Sequence, residues 1–238
     1  MEDLSVMKLL LTSSGLTNER IRQALVDLLG KPIEQSKAIF IPTAIYAMPG
    51  ASRYAWESLK EQGELGWQEF GVLELTALPT ILPEHWLPSL QQADVLVVGG
   101  GNTPYLSYWM HASGLAEQLP ELLQQIVYVG ISAGSIVATQ CMHVNRETLE
   151  TTGVYADDEY DDVAPPRAGS DQTLQLVDYT LRPHLGTSYF PKITLERMEQ
   201  AAADVDAPMY VIDDQTALKV IDGAVEVVSE GTWKLFEK

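Results

Sequence analysis

The 238 residues are enough to bury a full core, and a hydrophobic content of 46 % is ordinary for a soluble globular protein. With 33 acidic against 15 basic residues the formal charge is −18, which argues against nucleic acid and anionic membrane surfaces as partners, because both attract basic patches. The single cysteine, Cys141, excludes an intramolecular disulfide and a multi-cysteine metal site, and is expected as a small buried apolar residue. No window approaches the roughly 18 consecutive apolar residues of a membrane helix. The start, Met1-Glu-Asp-Leu-Ser5, lacks the basic stretch of a secretory signal, so the expected location is cytoplasmic. The negative charge also repels any acidic substrate at long range, so a site for one would need a local arginine or lysine.

Val6 to Leu11 is an apolar run leading into Thr12-Ser-Ser-Gly15, read as a first strand and its turn. Thr17 or Asn18 caps a helix in which Ile21, Ala24, Leu25, Leu28 and Leu29 recur at helical spacing, closed by Gly30 and Pro32. Lys37 to Pro42 gives a second strand, Ala51 to Gln62 a second helix, and Gln68 to Leu75 a third strand. Pro83 to Gln92 reads as a short helix. Asp94-Val-Leu-Val-Val-Gly-Gly-Gly-Asn-Thr103 reads as a buried strand emptying into a glycine-rich turn, with Asn102 or Thr103 capping a helix to about His111. Leu115 to Gln125 is a further helix, and a strand begins at Val127.

Beyond Thr139 the pattern changes. Tyr155 to Pro166 is an acidic, proline-ended stretch expected as a solvated loop, with a lid or a cation site as the alternative. Leu174 to Leu181 reads as a strand running into Arg182-Pro-His184, Thr194 to Ala203 as a helix, and Met209 to Ile212 as a strand. Leu218 to Val228 forms a hairpin on an Asp-Gly turn. Strand and helix alternate, so the expected fold is α/β: a three-layer sandwich with a mainly parallel central sheet flanked by helices, an antiparallel C-terminal hairpin, and one domain over residues 1–238.

The stretch that carries chemistry is Val127-Tyr-Val-Gly-Ile-Ser-Ala-Gly-Ser-Ile-Val-Ala138. An apolar strand ends in Gly130, Ser132 follows, and Gly134 opens a helix. A nucleophile needs such an elbow, because its hydroxyl must project from the carboxyl end of a strand between residues small enough to allow the bend. The helix that follows points free N–H groups at the place where an oxyanion would form. The alternative is that small residues merely let a buried strand turn tightly.

A serine hydroxyl is a poor nucleophile at neutral pH and needs a base, usually oriented by a third group. Of four histidines, His85, His111 and His143 read as structural or solvated. His184 follows a predicted strand, after Pro183, and can share the strand-end rim with Ser132. Asp213 and Asp214, after Met209 to Ile212, offer two carboxylates; in extended structure they face opposite ways, so one of them can face His184.

Five segments in order, Leu9-Leu-Leu-Thr-Ser-Ser-Gly15, Val97-Val-Gly-Gly-Gly-Asn-Thr103, Gly130-Ile-Ser-Ala-Gly134, Arg182-Pro-His184 and Ile212-Asp-Asp-Gln-Thr-Ala217, together resemble the peptidase E family of serine peptidases, family S51. These are aspartyl dipeptidases related to cyanophycinase, on a fold similar to class I glutamine amidotransferases. The resemblance implies a nucleophile at Ser132 and a histidine at His184. It puts the acidic member, often glutamate in the family, at Asp214, with Asp213 and Glu147 as alternatives. It further implies oxyanion donors at Gly100 and Ala133, and substrate contacts at Asn102, Thr103 and Arg197. Arg197 is the match to the arginine that reads the side chain of an N-terminal aspartate; it reads equally as a helix-surface residue paired with Glu196 or Glu199. The partner implied is a small peptide substrate, with no cofactor and no metal, and the chain is expected as a monomer or homodimer.

Rival readings fit the residues less well. An α/β-hydrolase esterase shares the Gly-x-Ser-x-Gly elbow, but there the acid precedes the histidine, and here no histidine follows His184. A non-catalytic, amidotransferase-like protein could hold a small anion on Gly99 to Gly101, but the loop lacks the dinucleotide fingerprint and a P-loop lysine. A true glutamine amidotransferase would need cysteine at the elbow. A metallohydrolase is disfavoured, since no histidine pair has ligand spacing.

Overall fold

The computed structural model describes residues 6–144, 146–157 and 165–238. In chain order they form β1 (Lys8–Thr12), α1 (Glu19–Leu29), β2 (Lys37–Ile41), α2 (Ala51–Gly63), β3 (Glu69–Val72), α3 (Leu87–Gln91), β4 (Val95–Val98), α4 (Thr103–Ala112) and α5 (Leu115–Leu122). Then come β5 (Val127–Ile131), α6 (Ala133–Ile136), α7 (Arg146–Thr152), β6 (Thr180–Arg182), α8 (Leu195–Ala203), β7 (Met209–Ile212), β8 (Thr216–Ile221), β9 (Ala224–Ser229) and β10 (Trp233–Phe236).

Seven strands make the central sheet, in the order β3-β2-β4-β5-β1-β8-β9. The first five of these run parallel, and β8 and β9 join antiparallel. Successive side chains of a strand point to opposite faces, and here both faces are covered. Leu9, Leu11, Leu96, Val98 and Tyr128 enter one core with Leu106 and Met110 of α4 and Leu115 and Leu119 of α5. Their alternates Leu10, Val95, Val97, Val127 and Val129 enter another, against Ile21, Ala24, Leu25 and Leu28 of α1. The strands therefore read as unbroken apolar runs, each fully buried leucine contributing about 2 kcal/mol by transfer from water. The result is the expected α/β three-layer arrangement.

A second sheet, β10-β7-β6, stands beside the first. β6 and β7 pair in parallel, and β10 pairs antiparallel to β7. One face packs Met209 and Val211 on Met198 and Ala202 of α8. Leu181 and Ile212 turn the other way, into the central core. This sheet was not foreseen as a separate unit, and neither β10 nor α7 was anticipated. The hairpin turn falls at Asp222-Gly223, both left-handed (φ 48° and 79°), as a tight two-residue turn between right-twisted strands requires. Its strands extend the central sheet beside β1.

Several expectations need correcting. Residues 174–179 are not a strand. The N–H groups of Leu174 and Leu176 instead donate to the carbonyls of Val137 and Ala138 (2.8 and 2.9 Å), which α6 leaves unpaired at its end, and Gln175 is left-handed (φ 51°). The expected helix from Pro83 to Gln92 is split into a 3-10 turn, Pro83–His85, and α3. Cys141 is only partly buried, its thiol pushed up by that burial. Residues 1–5 and 158–164, the latter most of the acidic stretch, lie outside the described residues. Among the described residues no helix is long and apolar enough to cross a membrane.

Candidate active site

β4, β5 and β1 are neighbours in the sheet, about 4.8 Å apart, so the loops that leave their carboxyl ends meet. These are the Gly99 to Gly101 loop, the Ser132 elbow and the Ser13 to Gly15 turn. Ser132 holds φ 50°, ψ −111°, a backbone that costs a residue with a side chain about 1–3 kcal/mol. It is kept there from several sides. Its N–H donates to the carbonyl of Thr12 at 3.1 Å, the Ser135 hydroxyl donates to the same carbonyl at 2.7 Å, and the buried Tyr128 hydroxyl donates to the carbonyl of Gly134 at 2.6 Å. The flanking glycines are required by space: a Cβ on Gly130 would come within 2.7 Å of Ser135 backbone, and one on Gly134 would overlap the Val98 carbonyl.

His184 arrives from the small sheet, two residues past β6, also left-handed at φ 65°. Parallel pairing sets Arg182 beside Val211, so the chain after β6 and the chain after β7 emerge on the same side. From β7 the chain crosses through Asp213, Asp214 and Gln215 into β8, whose Ala217 pairs with Thr12 of β1. Asp214 thus stands where the two sheets meet, next to the end of β1. The Thr17 hydroxyl fixes it there, donating to the Asp214 carbonyl at 2.6 Å.

The outcome is a continuous hydrogen-bonded chain. Oγ of Ser132 lies 2.9 Å from Nε2 of His184, and Nδ1 of His184 lies 2.8 Å from Oδ1 of Asp214. An ionised carboxylate can only accept, so Nδ1 carries the proton and Nε2 is left with a lone pair toward Ser132. Burial pushes the Asp214 carboxyl up, but hydrogen bonds from His184, Ser13 and Tyr189, joined at acid pH by the charge of the protonated His184 ring, outweigh it and hold it at about 2. Ser132 and His184 are 8 % and 5 % exposed, which keeps bulk water from competing for these bonds.

Of the three carboxylates weighed for the third position, Asp214 is the one that meets His184. Asp213 is committed to its turn, accepting from the Gln215 amide, the Thr216 hydroxyl and the Thr232 amide. Glu147 is exposed on α7. Gly100 lies against the serine, for a Cβ there would stand 3.7 Å from Ser132 Oγ. Ala133 is the first residue of α6, so its N–H has no partner within the helix. That helix is only four residues long, and its macrodipole is correspondingly weaker than the sequence suggested.

Asn102 and Thr103 are buried and hold the loop: Asn102 caps α4 by accepting from the Tyr105 amide at 2.9 Å, and the Thr103 amide donates to Asp157 at 3.1 Å. Arg197 is exposed on α8, and among the described residues it makes no ion pair with Glu196 or Glu199 and no hydrogen bond to Ser132 or His184. Two residues of the site escaped sequence reasoning. Ser13 lay within the first motif as part of a turn, and the order of β1 beside β5 is what gives it a role. Tyr189, whose hydroxyl donates to Oδ2 of Asp214 and whose ring packs edge-on at 5.6 Å from the His184 ring, carried no signal of its own.

Comparison with known proteins gives the chain's relatives. The chain is 27 % identical over 222 residues to "Peptidase E" of Nostoc sp., spanning 91 % of this chain and 81 % of that one. It is 28 % identical over 156 residues to the Drosophila melanogaster "Probable alpha-aspartyl dipeptidase", spanning 63 % of this chain and 59 % of that one. Two solved structures share the fold: one from Listeria monocytogenes at TM-score 0.64 and 21 % identity, covering 95 % of this chain and 100 % of that chain, and a peptidase from an acI-B1 Actinobacterium at 0.60 and 17 %, covering 98 % and 94 %. The sequence profile of peptidase family S51 matches residues 9–228, nearly the whole length, so the chain belongs to that family and is a serine-type peptidase.

Proposed function

We propose that the chain hydrolyses dipeptides with an N-terminal aspartate, Asp-X, through Ser132, His184 and Asp214. The observation that carries this reading is the unbroken run of hydrogen bonds from Ser132 Oγ to Asp214 Oδ1. The substrate class is supported by the alpha-aspartyl dipeptidase among the relatives.

In this reading Nε2 of His184 takes the Ser132 proton as Oγ attacks the peptide carbonyl, and Asp214 stabilises the imidazolium that forms. The amides of Gly100 and Ala133 receive the oxyanion. His184 then gives its proton to the leaving amine, and the acyl group stays on Ser132. Water attacks that ester, losing its proton to Nε2, which returns it to Ser132 Oγ as the acyl–oxygen bond breaks and the carboxylic product departs. Arg197, uncommitted on the surface of α8, is the cation that would pair with the aspartate side chain when substrate is bound. The charge of −18 favours the ammonium at the other end of the substrate.

The test is hydrolysis of Asp-Leu, Glu-Leu, Asn-Leu, Ala-Leu and a p-nitrophenyl ester by the wild type and by Ser132→Ala. Leucine released from Asp-Leu alone and lost in the variant supports the proposal. Cleavage of Ala-Leu at an equal rate removes the aspartate preference, and unchanged turnover in Ser132→Ala removes the serine from the chemistry.

A further inference from the structure

Ser13 is fully buried at the junction of the two sheets. Its Oγ accepts the backbone N–H of His184 at 2.8 Å, donates to Oδ1 of Asp214 at 2.6 Å, and lies 3.3 Å from Nδ1 of His184. The directions follow from chemistry. A backbone N–H can only donate and an ionised carboxylate can only accept, so the one proton of the hydroxyl is spent on Asp214. Nδ1–H of His184 is thereby left to Oδ1, its nearer acceptor at 2.8 Å.

The second half of the argument is conformational. His184 holds φ 65° without being glycine, so its ring is aimed by a backbone that needs external support. That support comes from both sides of the residue: Ser13 takes the His184 N–H, and the carbonyl of Ile212 takes the N–H of Leu185 at 3.0 Å. One hydroxyl therefore touches the backbone of the base and the carboxylate that orients it.

We propose that Ser13 is the positioning residue of the site, fixing the left-handed backbone of His184 and the carboxylate of Asp214 together. The proposal rests on the Ser132-His184-Asp214 reading given above. The bonds of the buried Ser13 hydroxyl go to the His184 backbone, His184 Nδ1 and Asp214, not to Ser132 Oγ or His184 Nε2, so it acts through its two neighbours. Removing the hydroxyl leaves a buried N–H unpaired and withdraws one donor from Asp214. The carboxylate becomes more basic, the imidazolium is favoured, and the acid limb of the reaction moves to higher pH.

The experiment is the rate of labelling of Ser132 by a fluorophosphonate, located by peptide mass and followed from pH 5 to 9, in the wild type, Ser13→Ala and Ser13→Cys. This readout is independent of peptide specificity. Ser13→Ala is expected to label about 100-fold more slowly, the size of effect seen when a reacting group is misplaced, with its acid limb shifted upward. On Asp-Leu the loss should fall on kcat with KM unchanged. Should Ser13→Ala fail to fold, Ser13→Cys, with a weak donor in the same place, should show an intermediate rate and a shift in the same direction. Equal rates and limbs in all three proteins overturn the role of Ser13 while leaving the nucleophile in place. A lowered melting temperature with unchanged labelling per folded molecule also overturns it. Failure of the wild type to label at Ser132 overturns the nucleophile reading itself.

Discussion

Oγ of Ser132 and Nε2 of His184 stand 2.9 Å apart although both residues hold backbones that L side chains rarely adopt, at φ 50° and 65°. They come from different sheets, one from the centre of the seven-stranded sheet and one from the edge of the three-stranded one. Neither conformation is favourable alone. Each persists because the backbone around it is hydrogen-bonded on both sides, so the contact is a product of the docking of the two sheets.

Strain at the elbow can be measured directly. Ser132→Gly and Ser132→Ala both remove the hydroxyl and should both abolish turnover. Glycine enters φ 50°, ψ −111° freely and alanine does not, so Ser132→Gly is expected to be the more stable of the two by about 1 kcal/mol despite its greater unfolded-state entropy. Urea unfolding of the pair gives the difference. A more stable alanine variant would mean that the elbow is not strained.

The carboxyl of Asp214 is held at about 2, below its ordinary 3.8. A depressed folded value means that the ionised form is bound better in the fold than in the unfolded chain. The stability it contributes is complete above the unfolded value and is lost as pH falls from 3.8 through about 2. Asp214→Asn should therefore be less stable than the wild type at pH 6, and the gap should close as pH is lowered toward 2. A gap that stays constant over that range would separate Asp214 from the acid sensitivity of the fold.

Two glycines near Ser132 should respond in opposite ways. A Cβ on Gly100 would stand 3.2 Å from the Ser132 Cβ and 3.5 Å from the Ile131 carbonyl oxygen, and the backbone there is not left-handed. Gly100→Ala is thus expected to fold and melt nearly as the wild type does, yet to lose most activity by crowding the place where the oxyanion forms. Gly134→Ala drives a methyl into the Val98 carbonyl and should cost about 2–3 kcal/mol of stability, an overpacking effect. Thermal melting paired with steady-state rates tells the two apart.

The central sheet was legible because burial on both faces leaves a clear trace, runs such as Leu9 to Leu11 and Val95 to Val98 with capped helices between them. Ser132 was legible for a related reason: spatial limits at Gly130 and Gly134 force a local pattern. The small sheet was not. Only β7, Met209 to Ile212, read as a strand; β6 is three residues long and β10 finds β7 only through the tertiary fold, so neither of those two leaves a period to count. Residues 174–179 misled because Leu174 and Leu176 alternate like a strand, while the acceptors that claim their amides, the Val137 and Ala138 carbonyls, lie just past the helix after Ser132. Ser13 was hidden in the same way, since a turn serine acquires its role only when strand order sets β1 between β5 and β8.

Arg197 offers a test of specificity separate from catalysis. Its side chain is exposed and uncommitted, so Arg197→Ala should change stability by less than about 0.5 kcal/mol, as surface substitutions do. If it reads the substrate carboxylate, kcat/KM for Asp-Leu should fall by about tenfold or more, as for loss of a charged hydrogen bond, with little change for Ala-Leu. Equal losses on both dipeptides would point to a general effect on α8.

Tyr189 presents its hydroxyl to Oδ2 of Asp214 while Ser13 and His184 occupy Oδ1. The residue is 57 % exposed, and its ring shares the His184 ring with Phe190, which stacks at 4.7 Å. Burial and the bond to Asp214 both push the phenol up, so it remains a donor throughout the neutral range. Tyr189→Phe keeps the ring and removes the donor. The Asp214 carboxyl should then titrate higher, the acid limb of kcat should move up with it, and stability should change by about 1 kcal/mol. Tyr189→Ala also uncovers the His184 ring and admits water beside Nδ1, so it should lose more activity than Tyr189→Phe. Kinetics of the two variants, with the Asp214 titration followed by NMR, separate the hydrogen bond from the cover. If both retain the wild-type pH profile, the tyrosine is a bystander, and Ser13 is left as the neighbour that sets the carboxylate.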